Sequence, residues 1–316
     1  MPTRLDIHYG KVQPAPDLPK DATCVPLKVF AGRVFIPATL NGQVTCDCLI
    51  DTGAEVSLIN KARVPLKDLP VLGTEQIQGA FVGAVAMQKT RLKSLSIGQT
   101  TYQEVAFRAI EHRKGQKLEQ IDMTLGIDFL SRSRFTLDFA REQFVIWPPR
   151  SPLPPPPASI ERVRVNTHRA SGDGVAFPRI YGTVNEKAKA LFLVDTGAGP
   201  FYFVALKKAE EYGFPTDGPV VATMRLNDGG NSREIKIRET LIQRLDFEQV
   251  RLQPFTGKVV EAQQVVGPLA KQDLQVSYTL IGTPVLKTQS AVHFDMPSGC
   301  IYFDRPKAAA AGKKSE

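Results

Sequence analysis

Two short segments, Leu49-Ile50-Asp51-Thr52-Gly53-Ala54 and Leu193-Val194-Asp195-Thr196-Gly197-Ala198, share one design: an apolar strand that delivers an aspartate into a tight turn. The likeness extends well beyond the motif. With Asp51 set against Asp195, CDCLIDTGAEVSL answers to KALFLVDTGAGPF, and Asn41 and Asn185 each fall ten residues before the aspartate. A later apolar element containing a glycine follows in each copy, TLGIDFL around Gly126 and LIGTPVL around Gly282, at 75 and 87 residues from the respective aspartate. Each copy then closes on a hairpin pattern, FTLDFAREQFVIW and VHFDMPSGCIYF, in which Asp138 corresponds to Asp295 and Pro297, Ser298 and Gly299 supply turn chemistry. One chain carrying such a repeat predicts two similar lobes.

The boundary between them is marked by WPPRSPLPPPPAS, with seven prolines from Pro148 to Pro157, a composition excluded from sheet interiors and helices. In polyproline II form ten such residues reach about 30 Å. The expected organisation is an N-terminal extension over 1–24, a lobe over 25–147, a linker over 148–159, a second lobe over 160–305 and a polar tail over 306–316, with both ends loosely held. Val34 to Leu40, Thr90 to Ile97 and Thr101 to Phe107 show β-branched and aromatic residues in partial alternation between turns, so the chain reads as mainly β. Helix is expected only briefly, at Asp128 to Arg132, Pro284 to Thr288 and Ala205 to Tyr212.

Composition narrows the function. At 316 residues and 42% hydrophobic the chain has ample material for a core, and no apolar run approaches a membrane span. Forty basic against thirty-two acidic residues give +8, but they are scattered, which reads as a solvated surface and not as a nucleic-acid footprint. No signal peptide is legible, so the cytoplasm is the default compartment. Cys24, Cys46, Cys48 and Cys300 are too few for a disulfide framework and are expected as buried thiols. His8, His112, His168 and His293 are isolated from one another, so neither a metal nor a cofactor is implied. Gly-x-Ser-x-Gly, His-Glu-x-x-His and phosphate-loop patterns are absent.

The paired aspartates are where chemistry is expected. Two carboxylates about 3 Å apart cannot both ionise, so they share a proton and their apparent pKa values split into a base and an acid. The sequence does not say which is which. Thr52 and Thr196 offer hydroxyls that can lock the turns face to face, and Gly53 and Gly197 allow close backbone approach. At Gly126 and Gly282 a missing side chain lets a second strand pass behind each aspartate turn.

With these residues, from about Val25 to Phe303, the chain resembles the pepsin and retropepsin clan of aspartic proteases, as a single chain with two retropepsin-like lobes. The resemblance implies that each lobe is a closed β-barrel half, that the site lies in the cleft between them, and that Asp51 and Asp195 form a dyad hydrolysing peptide bonds through an activated water. It further implies that Ser57 supports the aspartate turn beside Ala54 and Ala198, that Glu55 contacts substrate, and that Gly79-Ala80-Phe81-Val82-Gly83 forms a flap. A monomer acting on protein or peptide substrates is expected. Lobe two departs from this pattern, with Gly199-Pro200-Phe201 where lobe one has Glu55-Val56-Ser57, and its Asn227-Asp228-Gly229-Gly230 turn predicts a shorter or non-closing counterpart of the flap. Alanine after each Asp-Thr-Gly, in place of a hydroxyl residue, predicts a raised dyad pKa and an optimum at roughly pH 4 to 6. Two alternatives stay open at this point: a catalytically silent peptide-binding protein keeping the cleft, and a basic assembly or nucleic-acid-binding protein on the same scaffold.

Overall fold

The computed structural model describes residues 7–12, 14, 18–66, 69–79, 83–110, 120–168, 177–198, 206–211, 213–214, 216–228, 231–252, 254–260 and 279–306. Ala80, Phe81 and Val82, residues 199–202, Gly229, Gly230, His112 and the tail beyond Pro306 lie outside them. The chain is mainly β, and the expected strands fall within Arg33–Leu40, Gly83–Ile97 and Thr100–Ile110. Short helices occupy Ile127–Leu130, Leu206–Glu211 and Thr283–Leu286. The first and last begin directly after Gly126 and Gly282, one residue earlier than composition alone indicated, because each glycine is an extended N-cap.

The first lobe is one eight-stranded sheet in the order Lys28–Phe30, Arg33–Leu40, Val44–Ile50, Met123–Leu125, Leu58–Asn60, Thr100–Ile110, Gly83–Ile97, Gly73–Gly79. Pairing of Thr39 with Ser96 and Leu40 with Leu95 brings this run back on itself. In the second lobe the described strands form a five-stranded sheet, Val250–Leu252, Leu245–Phe247, Arg179–Val184, Ala188–Asp195, Thr279–Gly282, and a separate three-stranded sheet, Val220–Asp228, Asn231–Ile242, Phe255–Val260. Among the described residues no pairing joins those two sheets, in contrast to the closed half expected of each lobe; the segment 261–278, between Phe255–Val260 and Thr279–Gly282, lies outside them.

The closing hairpins of both lobes belong to a single six-stranded sheet, ordered Thr23–Pro26, Gln143–Trp147, Arg134–Asp138, Ala291–Asp295, Cys300–Pro306, Ile160–Asn166. Its central pair runs antiparallel with Arg134 opposite Asp295, Thr136 opposite His293 and Asp138 opposite Ala291. Asp138 and Asp295 correspond in the repeat, so a pseudo-twofold axis passes through the Thr136–His293 pair. Both aspartates do the same local work: Asp138 accepts from Arg141 N at 2.9 Å and Asp295 from Ser298 N at 3.2 Å, each closing its hairpin turn. Phe135 and Phe294 stack across the junction with centroids 4.7 Å apart.

This sheet changes the role of the proline-rich segment. Its ends leave Gln143–Trp147 and enter Ile160–Asn166, four strands apart in the same sheet, so it crosses about 19 Å at ~4.8 Å per strand. It is pinned on the way, since Arg134 donates to Ser151 O and Arg162 Nη1 to Pro154 O at 2.5 Å. The N-terminal extension is also held where described: Ile7 packs on Phe35, Leu49 and Ile121, and Tyr9 donates to Asp47 Oδ1 at 2.9 Å. All four cysteines are free, three of them buried and Cys24 half-buried.

Candidate active site

Each aspartate stands at the end of a strand whose alternation decides where it points. In Ala188–Asp195, Ala190, Phe192 and Val194 turn into the core, which leaves Asp195 on the opposite face with Leu191 and Leu193. Val44–Ile50 does the same with Cys46, Cys48 and Ile50 inward, so Asp51 follows on the other face. A parallel strand backs each: Ile50 lies beside Leu125, with Asp51 N donating to Leu125 O at 3.0 Å, and Asp195 lies beside Gly282. A Cβ on Gly126 would come within 2.7 Å of the Val56 backbone and 2.8 Å of Ala54 O, so only glycine lets this strand approach the turn.

The two turns meet across the lobes in a reciprocal lock. Thr52 Oγ1 donates to Val194 O at 2.6 Å, and Thr196 Oγ1 donates to Ile50 O at 2.6 Å. Each hydroxyl also accepts the other threonine's backbone N–H at 3.1 Å. Both threonines are fully buried, so every one of these bonds replaces a group that would otherwise be left unsatisfied. Gly53 N donates to Asp51 Oδ1 and Gly197 N to Asp195 Oδ1, both at 2.9 Å, which orients the carboxyls. A Cβ on Gly53 would lie 2.3 Å from the Asp195 carboxyl carbon, and one on Gly197 2.2 Å from that of Asp51. Each carboxyl therefore rests against the opposite glycine, so the two face one another across the turns.

Electrostatics follows from this packing. Burial raises the pKa of Asp51, against which the N–H groups of Gly53 and Ala54 and the charge of Arg33 act to lower it. Burial likewise raises Asp195, and the facing Asp51 raises it further. The pair thus retains one proton at a pH where separate carboxylates would both be ionised.

Behind the first turn, Ser57 Oγ donates to Asp128 Oδ1 at 2.6 Å and accepts from Gly126 N at 3.0 Å, while Ser57 N donates to Asp128 Oδ2 at 3.0 Å. Ser57 touches the buttress and not the aspartate itself. Behind the second turn the hydroxyl comes from Thr283, whose Oγ1 donates to Thr196 O at 3.0 Å. Sequence reasoning assigned no role to Asp128, Thr283 or Arg33; the first two lie in the repeated elements after the aspartates, next to the glycines, and that position was the available signal. Glu55 is exposed just past the turn. Gly79 and Gly83 face each other at the end of the hairpin Gly73–Gly79/Gly83–Ile97, although its tip lies outside the described residues. The equivalent hairpin of lobe two, Val220–Asp228/Asn231–Ile242, has a nine-residue first arm against seven in lobe one, so it is not the shorter of the two. Its ladder continues to Asp228 opposite Asn231, whereas the turn residues alone gave no measure of arm length.

No group of three or more His, Cys, Asp or Glu among the described residues is placed to hold a metal ion. A cavity of about 650 Å³ lies under the proline-rich segment, lined by Tyr102, Trp147, Arg150 and Asp295, and the aspartate pair does not border it.

Residues 36–129 match the aspartyl protease family model. No curated protein matches the chain. An aspartic proteinase from Irpex lacteus superimposes over 92% of this chain and 99% of its own, at 12% identity and a TM-score of 0.56. A retropepsin-like aspartic protease from Rickettsia conorii aligns over 47% of this chain and 94% of its own, at 19% identity and a TM-score of 0.32. The chain thus matches the aspartyl protease family through its first lobe and carries the two-lobed fold of a pepsin-like aspartic proteinase over nearly its whole length.

Proposed function

We propose that the protein is an aspartic endopeptidase in which Asp51 and Asp195 activate one water for attack on a peptide carbonyl. The observation that carries this reading is the pair of facing carboxyls, each against the opposite turn's glycine and held there by the Thr52–Thr196 lock between two symmetric turns. The ionised aspartate takes a proton from the water as its oxygen bonds to the carbonyl carbon, and the protonated one donates to the carbonyl oxygen, giving a tetrahedral gem-diol. Collapse breaks the C–N bond, with a proton passing from the dyad to the leaving nitrogen, and yields a carboxyl and an amine. No covalent enzyme intermediate is involved. In this reading Glu55, exposed beside the first turn, meets the substrate main chain, and the hairpins Gly73–Gly79/Gly83–Ile97 and Val220–Asp228/Asn231–Ile242 serve as covers for an extended peptide. Both halves of the dyad come from one chain, so a monomer suffices.

The test is cleavage of a denatured protein by the purified chain across pH, with and without a statine-type inhibitor. Hydrolysis is expected to fall by at least about 10³-fold in Asp51→Asn and in Asp195→Asn, the scale lost with an acid–base group. Peptide binding without turnover in the unaltered protein would overturn the reading and favour a silent binding protein.

A further inference from the structure

The dyad is built from two near-identical turns, yet its surroundings are not symmetric. Phe30 and Arg33 pair across a two-residue turn, Ala31 and Gly32, both with positive φ (48° and 74°), which fixes the register and makes Arg33 the first residue of its strand. From there Arg33 Nε crosses to the other lobe and donates to Gly197 O at 2.9 Å. Gly197 is the residue whose backbone lies against the Asp51 carboxyl. A cation fixed on its carbonyl is therefore held on the turn that faces Asp51. The matching position in lobe two is apolar. Val34 pairs with Ile50, and the corresponding Val194 donates its N–H to Pro178 O, so the residue in the place of Arg33 is Phe177.

We infer that Arg33 is a positioning residue that breaks the twofold symmetry of the dyad: its guanidinium, anchored on the opposite turn, makes Asp51 the ionised member that takes the proton from water and leaves Asp195 the member that carries the proton. This rests on the aspartic protease reading and adds the assignment of roles that two equal motifs leave open. Among the described residues, few charged groups face Asp51. Asp195 confronts it from the second lobe and Arg33 from the strand Arg33–Leu40, while the Asp128 carboxylate behind the turn is engaged by Ser57 and Glu55 is exposed. The directions agree: Arg33 offsets part of the upward push of burial at Asp51, and Asp195 is driven well above an ordinary carboxyl.

The experiment is a carboxyl-carbon NMR titration of the full chain carrying ¹³C-labelled aspartate, with the dyad signals assigned by their loss in Asp51→Asn and Asp195→Asn. In the unaltered protein Asp51 is expected to ionise at the lower pH. In Arg33→Gln its midpoint is expected to rise by about one pH unit, the size of one nearby charge in a partly screened site. Arg33→Lys is expected to keep at least half of the difference. Asp195 ionising first, or an Asp51 midpoint unmoved in Arg33→Gln, would overturn the assignment. The titration needs no turnover, so a protein that cuts nothing yet shows the shift would refute the protease reading alone. Where hydrolysis is present, the acid limb of kcat/KM against pH should move with the same midpoint; a uniform loss of kcat at every pH would mark Arg33 as merely structural.

Discussion

In the first lobe the strand that leads to the aspartate is covered on both faces: Cys46, Cys48 and Ile50 enter the main core, while Leu49 is buried with Phe35 and Ile121 under Ile7 of the N-terminal extension. In the second lobe Leu191 and Leu193, on the equivalent face, remain half-exposed. The supports behind the turns differ as well, Ser57 with Asp128 in one lobe and Thr283 in the other. Where the two aspartate turns touch, however, they match residue for residue, Thr52 with Thr196 and Gly53 with Gly197. A contact shared by both turns constrains each equally, whereas a support behind one turn need only satisfy its own lobe.

The strongest way to break this correspondence is to fill the space between glycine and carboxyl. Gly53→Ala should displace Asp195, and Gly197→Ala should displace Asp51, because each new methyl would fall 2.2–2.3 Å from a carboxyl carbon. A shift approaching 1 Å costs roughly 10²-fold in rate, so kcat for peptide hydrolysis should fall at least that far in both variants. Unequal losses, with one variant near full activity, would show that the turns are not functionally equivalent.

The supports provide the contrast. Ser57→Ala removes the bond to Asp128 and leaves Gly126 N without its acceptor, at a cost of about 1–3 kcal/mol, whereas Thr283→Val removes a single bond worth about 1 kcal/mol. Chemical denaturation should therefore rank Ser57→Ala as the more destabilised. The reverse order would mean that the second turn depends more on its own brace than its hydrogen bonds indicate.

The smallest effect lies at the junction, where the repeat places Thr136 in one lobe and His293 in the other. Trp147 Nε1 donates to Thr136 Oγ1 at 2.6 Å, so the threonine hydroxyl proton is free to go to His293 Nδ1, 2.7 Å away. His293 Nε2 lies 2.9 Å from Asp304 Oδ2 and 3.2 Å from Arg162 Nη2, and with Nδ1 accepting it carries the ring proton toward the carboxylate. Burial lowers its pKa and Arg162 adds to this, outweighing the Asp304 carboxylate and Asp138, which raise it. A base whose folded pKa is lowered contributes stability in full above its unfolded value of about 6.5, and that contribution is lost as pH falls below it, by at most about 1.4 kcal/mol per pH unit. Asp304 behaves as an acid: burial pushes it up, but the Arg162 fork and His293 hold it at about 2, so its contribution persists above about pH 4 and disappears as pH falls through 2. Relative to His293→Gln, the unaltered protein should lose denaturation midpoint from pH 7 to 5, while both share the loss near pH 2. An equal slope between pH 7 and 5 would exclude a contribution from the imidazole.

Much of this architecture was legible because it rests on local chemistry. The alternation before Asp51 and Asp195, the turn residues after them and the glycines at 126 and 282 each mark a backbone requirement that few residue types satisfy. The merging of two hairpins into one sheet was not legible, since Thr136 and His293 are 157 residues apart and either hairpin could equally have closed its own lobe. Nor was the path of the proline-rich segment: its composition gave its stiffness, but its span depends on which strands it joins. Arg33 looked like any other strand-end cation, because its partner is a backbone carbonyl of the opposite lobe, and carbonyls carry no sequence signal.

Read as a string, the chain determined that two equivalent aspartates sit on two equivalent turns, because a short motif and its spacing encode backbone geometry within a few residues of each carboxyl. Only the tertiary structure decided how those equals differ. Long-range packing anchors Arg33 on the turn that faces Asp51, while the equivalent position of the second lobe holds the apolar Phe177, and a charge acts across the space that separates folded groups, whatever their separation along the chain.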